Sequence, residues 1–296
     1  MSDIAIQTWG LTKHYGDVQA LSDLDLEVRS GEIFGYLGPN GAGKTTTIRL
    51  LMGLMRPTRG RAEVLGLDVH RDGPTARNSM SFLPSDSSLY TFMKVGQYLE
   101  AFGNLTNAPR KRRDELTERL ELDTSRKIGD LSMGNRQKVV VVRALQEDVP
   151  VYVVDEPTRG LDPLVQQEFG KIISELRDEG RTVLLSTHVL SEAEALCDRV
   201  GILRLGRLVQ VDTVADLSVA RMRRVTVTFD GEAPADLTIP GVSDISIEDG
   251  TARFEVSGSI DPVIKALARY TVVDLETDEP SFEESFLQHY ESEGGA

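Results

Sequence analysis

The sequence predicts an α/β chain, a mostly parallel sheet wrapped by helices, followed by a small α+β unit. Three observations carry that prediction. From residue 4 to about 212, short β-branched runs alternate with helical patterns, the sequence form of a sheet with crossover helices. Val151–Val154 and Thr182–Ser186 are short apolar runs without polar alternation, as strands buried on both faces require. Beyond Ala220 the pattern becomes alternating, with Val225, Val227 and Phe229 separated by Thr226 and Thr228. That is the pattern of half-buried, antiparallel strands.

The elements follow in order. Ile4, Ile6 and Leu11 mark an N-terminal strand in which Trp9 is expected to pack in or near the core. Glu32–Leu37 reads as a strand leading into a glycine-rich turn, then a helix over Thr45–Met55 closed by Pro57. Residues 91–148 read as entirely helical, a helical subdomain inserted into the α/β core. Arg110-Lys111-Arg112-Arg113 opens one of its helices, the wrong end for cations by the dipole rule, so a solvated helix face is the favoured reading over contact with anionic lipid headgroups or a membrane-subunit loop. Val200–Leu205 and Arg207–Val211 pair as a hairpin around Gly206. In the last part, Ala252, Phe254 and Val256 form a second alternating strand, Asp261-Pro262 opens a short helix, and Ser281 with Glu284 forms a capping box before Phe282, Phe286, Leu287 and Tyr290.

Length and charge bound the function. A chain of 296 residues accommodates two domains, expected over 1–220 and 221–296. The net charge of −14 is uneven: residues 1–220 hold 27 basic and 31 acidic side chains, residues 221–296 hold 6 and 16. Such a chain is not expected to bind nucleic acid, because that affinity comes from cations replacing counterions on phosphates. The densest apolar run, Val139–Val142, ends at Arg143, and Asp3 interrupts a signal-peptide reading, so neither a membrane span nor such a leader is expected. Cys197 is the single cysteine, which leaves no intramolecular disulfide, fits a reducing cytoplasm and reads as a small core residue.

Gly38-Pro39-Asn40-Gly41-Ala42-Gly43-Lys44-Thr45 matches G-x-x-x-x-G-K-[ST] between a strand and a helix. Its glycines let backbone N–H groups turn inward around phosphate, and the helix N-terminus adds partial positive charge. Lys44 is assigned to the β- and γ-phosphates of ATP, Thr45 to Mg²⁺, and Thr46 continues the ATP-binding run. Val151-Tyr152-Val153-Val154-Asp155-Glu156 is an apolar strand ending in two carboxylates. Strand alternation is expected to point them to different sides, Asp155 to hold Mg²⁺ and Glu156 to orient and deprotonate the attacking water.

Leu131-Ser132-Met133-Gly134-Asn135-Arg136-Gln137 resembles the signature, usually LSGGQ, of the ATP-binding cassette (ABC) ATPases. The resemblance spans roughly residues 4–215, with every motif in the family's order. It implies a P-loop NTPase fold of the ABC type, Tyr15 stacked on adenine, Asp162 in the D-loop Gly160-Leu161-Asp162, and His188 as the switch histidine. Ser132 begins a helix, so its hydroxyl, the Gly134 N–H and the dipole make a second anion site. The resemblance implies that Ser132, Met133, Gly134 and Asn135 close over ATP bound by another subunit, so a second cassette, expected to be identical, is required.

Met133 and Asn135 depart from the usual Gly and Gln. A larger departure is Phe82-Leu83-Pro84-Ser85-Asp86, where the family places a Gln toward Mg²⁺ and water. Either a water fills the gap, or Asp86 takes part, or Mg²⁺ has one ligand fewer, and a plain loop role for Ser85 stands beside these. Together with the acidic extension, these segments are similar to a branch of bacterial drug-resistance and antibiotic exporters whose membrane subunit is a separate polypeptide. That likeness implies an ATPase at the cytoplasmic face of the membrane, held there by integral membrane permease subunits. The alternative is a soluble ABC protein acting on the ribosome, nucleic acid or cofactor assembly. Leu131 follows Lys44 by 87 positions without a heptad run, which disfavours the coiled-coil insert such chains carry.

Overall fold

The computed structural model describes residues 3–86, 88–219, 222–234, 241–257 and 259–278. The chain divides into two units, Met1–Asp212 and Thr213–Ala296; the change of pattern at 220 lies just inside the second.

The first unit runs β1 (Ile4–Tyr15), β2 (Val18–Leu24), β3 (Glu27–Arg29), β4 (Ile33–Leu37), α1 (Lys44–Leu51), β5 (Arg59–Val64), β6 (Leu67–Asp68), α2 (Gly73–Asn78) and β7 (Met80–Leu83). It continues with α3 (Val95–Thr106), α4 (Arg110–Arg119), α5 (Met133–Leu145), β8 (Val151–Asp155), α6 (Pro163–Asp178), β9 (Thr182–Thr187), α7 (Leu190–Leu196), β10 (Arg199–Arg204) and β11 (Arg207–Thr213).

Two sheets form from these strands. The first, β2-β1-β5-β6 with β3 also on β1, is antiparallel, a layer that the expectation of a mostly parallel sheet from residue 4 onward did not contain. The reason is connection length. Tyr15 pairs directly with Val18, and so tight a turn can only reverse the chain, whereas parallel pairing needs a crossover of about a dozen residues. Trp9 is half-buried on this layer, under the Arg61 guanidinium 4.1 Å from its ring.

The second sheet has the order β11-β10-β4-β9-β8-β7, parallel from β10 to β7. Every residue of β4, β8 and β9 is buried, as expected for strands covered on both faces. The register sets Leu37 beside Thr187 and Asp155 beside Ser186, so the carboxyl ends of the three central strands lie level. Open α/β sheets place their ligand sites at such an edge. The hairpin turn between β10 and β11 has positive φ at both Leu205 (45°) and Gly206 (76°), the backbone that lets a two-residue turn follow strand twist.

The stretch 91–148 is helical only in part. Between α4 and α5 lie a loop and one 3-10 turn, Ile128–Asp130, and Lys94 bridges Lys127. α4 ends where Glu121 turns to φ 50° and the Leu122 N–H donates to the Thr117 carbonyl at 2.9 Å; past that end the Asp123 carboxylate accepts the Ser125 N–H at 2.9 Å, a local turn that competes with helix. The cations that open α4 are used within the molecule. Arg112 Nε donates to the Leu145 carbonyl at 2.7 Å, and Arg110 and Arg113 both lie near Asp114. Cys197 is buried beside Gly35, and burial pushes its thiol well above the ordinary range.

The second unit holds α8 (Val214–Val219), β12 (Met222–Phe229), β13 (Val242–Glu248), β14 (Thr251–Ser257), α9 (Asp261–Leu267) and β15 (Val272–Asp278). Its sheet, β13-β14-β12-β15, is antiparallel throughout. Val225, Val227, Phe229, Ala252, Phe254 and Val256 form one buried face with Val263 and Leu267 of α9. The helix expected from Ser281 and Glu284 lies outside the described residues. Among the described residues no helix is long and apolar enough to cross a membrane.

Candidate functional site

The site grows from the loop between β4 and α1. Two glycines there turn the chain into the left-handed region, Gly41 at φ 82° and Gly43 at φ 112°. A Cβ on Gly41 would meet nothing within 4 Å, whereas one on Gly43 would stand 2.7 Å from the Ala20 carbonyl oxygen. Gly41 therefore serves conformation alone, and Gly43 serves conformation and close packing. Gly43→Ala is expected to destabilise the fold by about 1–3 kcal/mol; an unchanged urea midpoint would show that the loop can shift away from Ala20.

The loop bounds a cavity of about 160 Å³ lined by Ala20, Glu156 and the residues from Pro39 to Thr46 other than Ala42. Ala42 is buried behind it and accepts the Gly206 N–H at 2.8 Å. Gly38 packs against the Leu203 carbonyl, where a Cβ would come within 2.4 Å. The cavity wall is thus loop backbone braced by the β10–β11 hairpin.

Lys44 begins α1 and is 5% exposed. Its ammonium donates to the carbonyls of Gly38 and Pro39 and stands 3.9 Å from Glu156 Oε1. Burial holds its pKa below the usual lysine value, and the carboxylates of Glu156 and Asp155 pull it back up.

Behind Lys44 lies a knot of hydroxyls on one carboxylate. Asp155, 1% exposed, accepts Thr45 Oγ1 at 3.2 Å and Ser85 Oγ at 3.1 Å on Oδ2, and the Ser186 hydroxyl on Oδ1. These four oxygen-bearing side chains come from α1, the segment after β7, β8 and β9. They are also what a hard divalent cation takes, oxygen donors around a carboxylate. Ser85 is too short to copy a Gln, but it reaches Asp155, while Asp86 is exposed.

Glu156 does not continue the strand. Its φ is +47°, so the expected alternation between Asp155 and Glu156 is replaced by a left-handed turn, fixed by the Glu156 N–H donating to the Ser186 carbonyl at 3.0 Å. A left-handed non-glycine costs about 1–3 kcal/mol, which the surrounding structure must over-determine. The turn sends Glu156 Oε1 to within 3.0 Å of His188 Nδ1, a partner that Asp155 does not share. Glu156 Oε1 thereby links Lys44, 3.9 Å away, to His188, and of the three Lys44 and Glu156 line the cavity.

The signature stands apart from this cavity. Ser132 caps α5, accepting the Asn135 N–H at 3.4 Å, and Met133 is exposed. A Cβ on Gly134 would lie 2.9 Å from the Gly160 carbonyl, and Gln137 Nε2 donates to the Pro157 carbonyl at 3.1 Å. The signature helix is thus seated on the loop that follows Glu156. Asp162 caps α6 by accepting the Val165 N–H at 3.1 Å. Tyr15 lies outside the cavity lining, partly exposed, with its hydroxyl on Met55 Sδ at 3.1 Å and Lys13 Nζ 5.3 Å from its ring centroid.

Sequence reasoning missed Ala20, Ser186 and the pair Thr187–Glu192. A signal for two of them was present: Ser186 and Thr187 place hydroxyls at the end of an otherwise apolar strand, level with the phosphate loop.

Residues 21–159 match the family model described as ABC transporter. A daunorubicin resistance ATP-binding protein of Streptomyces coeruleorubidus is 41% identical over 223 residues, covering 73% of this chain and 71% of that protein. An uncharacterized ABC transporter ATP-binding protein of Methanocaldococcus jannaschii is 34% identical over 280 residues, 93% of this chain and 98% of its own. Among solved structures, an ATP binding subunit of an ABC transporter superposes with a TM-score of 0.67 at 30% identity, covering 72% of this chain and 91% of that one. On that identity and coverage the chain belongs to the ABC transporter ATP-binding proteins, the ATPase component of that family.

Proposed function

We propose that this chain is the ATPase subunit of an exporter, paired head-to-tail with a second copy around two ATP and driving a separate membrane subunit at the cytoplasmic face. The observation that carries the hydrolytic site is Glu156 Oε1 held between the Lys44 ammonium of the cavity and His188 Nδ1. Lys44 binds the β- and γ-phosphates. Glu156 orients the attacking water and takes its proton. In the tautomer with a proton on Nδ1, His188 donates to Glu156 and aims it. Tyr15 is assigned to the adenine, and Asp162 to the face shared with the second cassette.

Thr45, Ser85 and Asp155 fit Mg²⁺ as an oxygen donor set; bound there, the ion supplies neutralisation of phosphate charge. Ser85→Ala is expected to weaken Mn²⁺ binding, read by electron paramagnetic resonance, about 10- to 100-fold, the worth of one hydrogen bond to a charged group. ATP affinity without metal should not move. An unchanged Mn²⁺ affinity would reduce Ser85 to a loop residue.

Ser132 and the N-terminus of α5 face no phosphate of their own chain's cavity, which supports their use on a second cassette. ATP then binds the closed pair better than the open one and shifts the population toward it. Drug or antibiotic efflux is the transport reading that fits the daunorubicin resistance relative. Expression with a neighbouring gene encoding about six hydrophobic spans tests it. Co-purification of the two products, with lowered drug accumulation in cells making both, is the expected result. A stable complex with RNA in place of such a partner would overturn the exporter reading.

A further inference from the structure

Glu192 has no part in the reading above, yet it is built into the same corner. It lies in the first turn of α7, just past His188. Its Oε2 accepts the Thr187 hydroxyl at 2.5 Å, and that hydroxyl in turn accepts the Val189 N–H at 3.0 Å. Both neighbours of His188 are therefore tied to one carboxylate. Thr187 is 1% exposed, so in the intact fold its hydroxyl depends on protein partners.

Glu156 acts on this carboxylate as well. Burial pushes the Glu192 carboxyl up; the hydroxyls of Thr187 and Thr158 and the charge of His188 pull it down, and Glu156 pushes it up. Thr158 stands two positions beyond Glu156. The carboxylate thus sits among groups from the loop after β8 and the loop after β9, the two loops that carry Glu156 and His188.

We propose that Glu192 is a positioning residue, which through Thr187 sets the loop that aims the His188 imidazole at Glu156. It touches no phosphate and no water that reacts. The inference rests on the hydrolytic reading of Glu156 and His188. Its physical basis is the two-sided use of the Thr187 hydroxyl: it donates its hydrogen bond to the carboxylate, which leaves the lone pairs facing the Val189 N–H. Without Glu192 the hydroxyl is free to rotate and the loop loses its fixed hydrogen bond.

The full-length chain tests this in four variants, with kcat, KM for ATP and the ¹⁵N resonance of the His188 imidazole as readouts. Glu192→Ala is expected to lower kcat about 10-fold with KM within about 2-fold, the pattern of misplacement and not of lost binding. It should also move the His188 resonance, which is assignable among four histidines. Glu192→Gln keeps an oxygen that accepts the Thr187 hydroxyl and should restore both kcat and the resonance. Thr187→Val should repeat the Ala result, and it decides alone if Glu192→Ala does not fold. A kcat within about 2-fold of the parent, or a reduced kcat with an unmoved His188 resonance, overturns the inference. His188→Ala separates the two levels: if it leaves kcat unchanged, the reading of His188 itself fails. If it lowers kcat while Glu192→Ala does not, only the positioning role fails.

Discussion

Replacing Glu156 with Gln is expected to slow ATP hydrolysis by about 10²- to 10⁴-fold, the range supplied by a positioned general base, while ATP binding survives. The amide keeps the volume and one hydrogen-bond acceptor toward His188, 3.0 Å away, but cannot take a proton. It also removes a negative charge 3.9 Å from the Lys44 ammonium. That charge competes with phosphate for Lys44, so its loss leaves ATP affinity equal or higher. The variant should therefore accumulate as an ATP-bound pair, visible by size-exclusion chromatography with retained nucleotide. Phosphate release within about 10-fold of the parent would remove Glu156 from the role of base.

Lys44→Ala has the opposite signature. The ammonium is 5% exposed and is held at the cavity by the carbonyls of Gly38 and Pro39, so it is poised there before any phosphate arrives. Each hydrogen bond to a charged group contributes about 1.5–3 kcal/mol, and 1.4 kcal/mol is about tenfold in affinity. Loss of one to two such bonds predicts an ATP Kd raised about 10²-fold or more. Titration with a fluorescent ATP analogue measures it. Affinity within about 3-fold of the parent would take the phosphate contact away from Lys44. In Glu156→Gln binding persists and turnover stops; in Lys44→Ala binding itself goes. The pair of results separates the two roles.

Much of the site was legible because its chemistry is local. The glycines at 41 and 43 and the lysine at 44 act through backbone turns a few residues long, and such geometry is written in adjacent residues. The caps are equally local: Ser132 and Asp162 each accept an N–H three positions ahead. The apolar runs of β8 and β9 carried their burial in their composition. Less legible was the antiparallel first sheet, where half-buried and buried residues mix along β1 and the pattern cannot say which partner comes next. The segment 120–132 was misread as helix for a related reason: the left-handed Glu121 past the end of α4, and the Asx turn at Asp123 after it, outweighed propensity.

The sequence by itself determined the phosphate loop, the paired acids, the signature cap and the change from a nearly balanced first unit to an acidic second one, since each depends on residues close in the chain or on composition. The tertiary structure decided which side chains meet. Ser85 lies 70 positions from Asp155, and Glu156 lies 32 from His188. The level ends of β7, β8 and β9 bring them together, and the left-handed turn at Glu156 takes that side chain off the strand toward His188. Strand register and a single φ are products of packing over the whole sheet, and no window of sequence contains them.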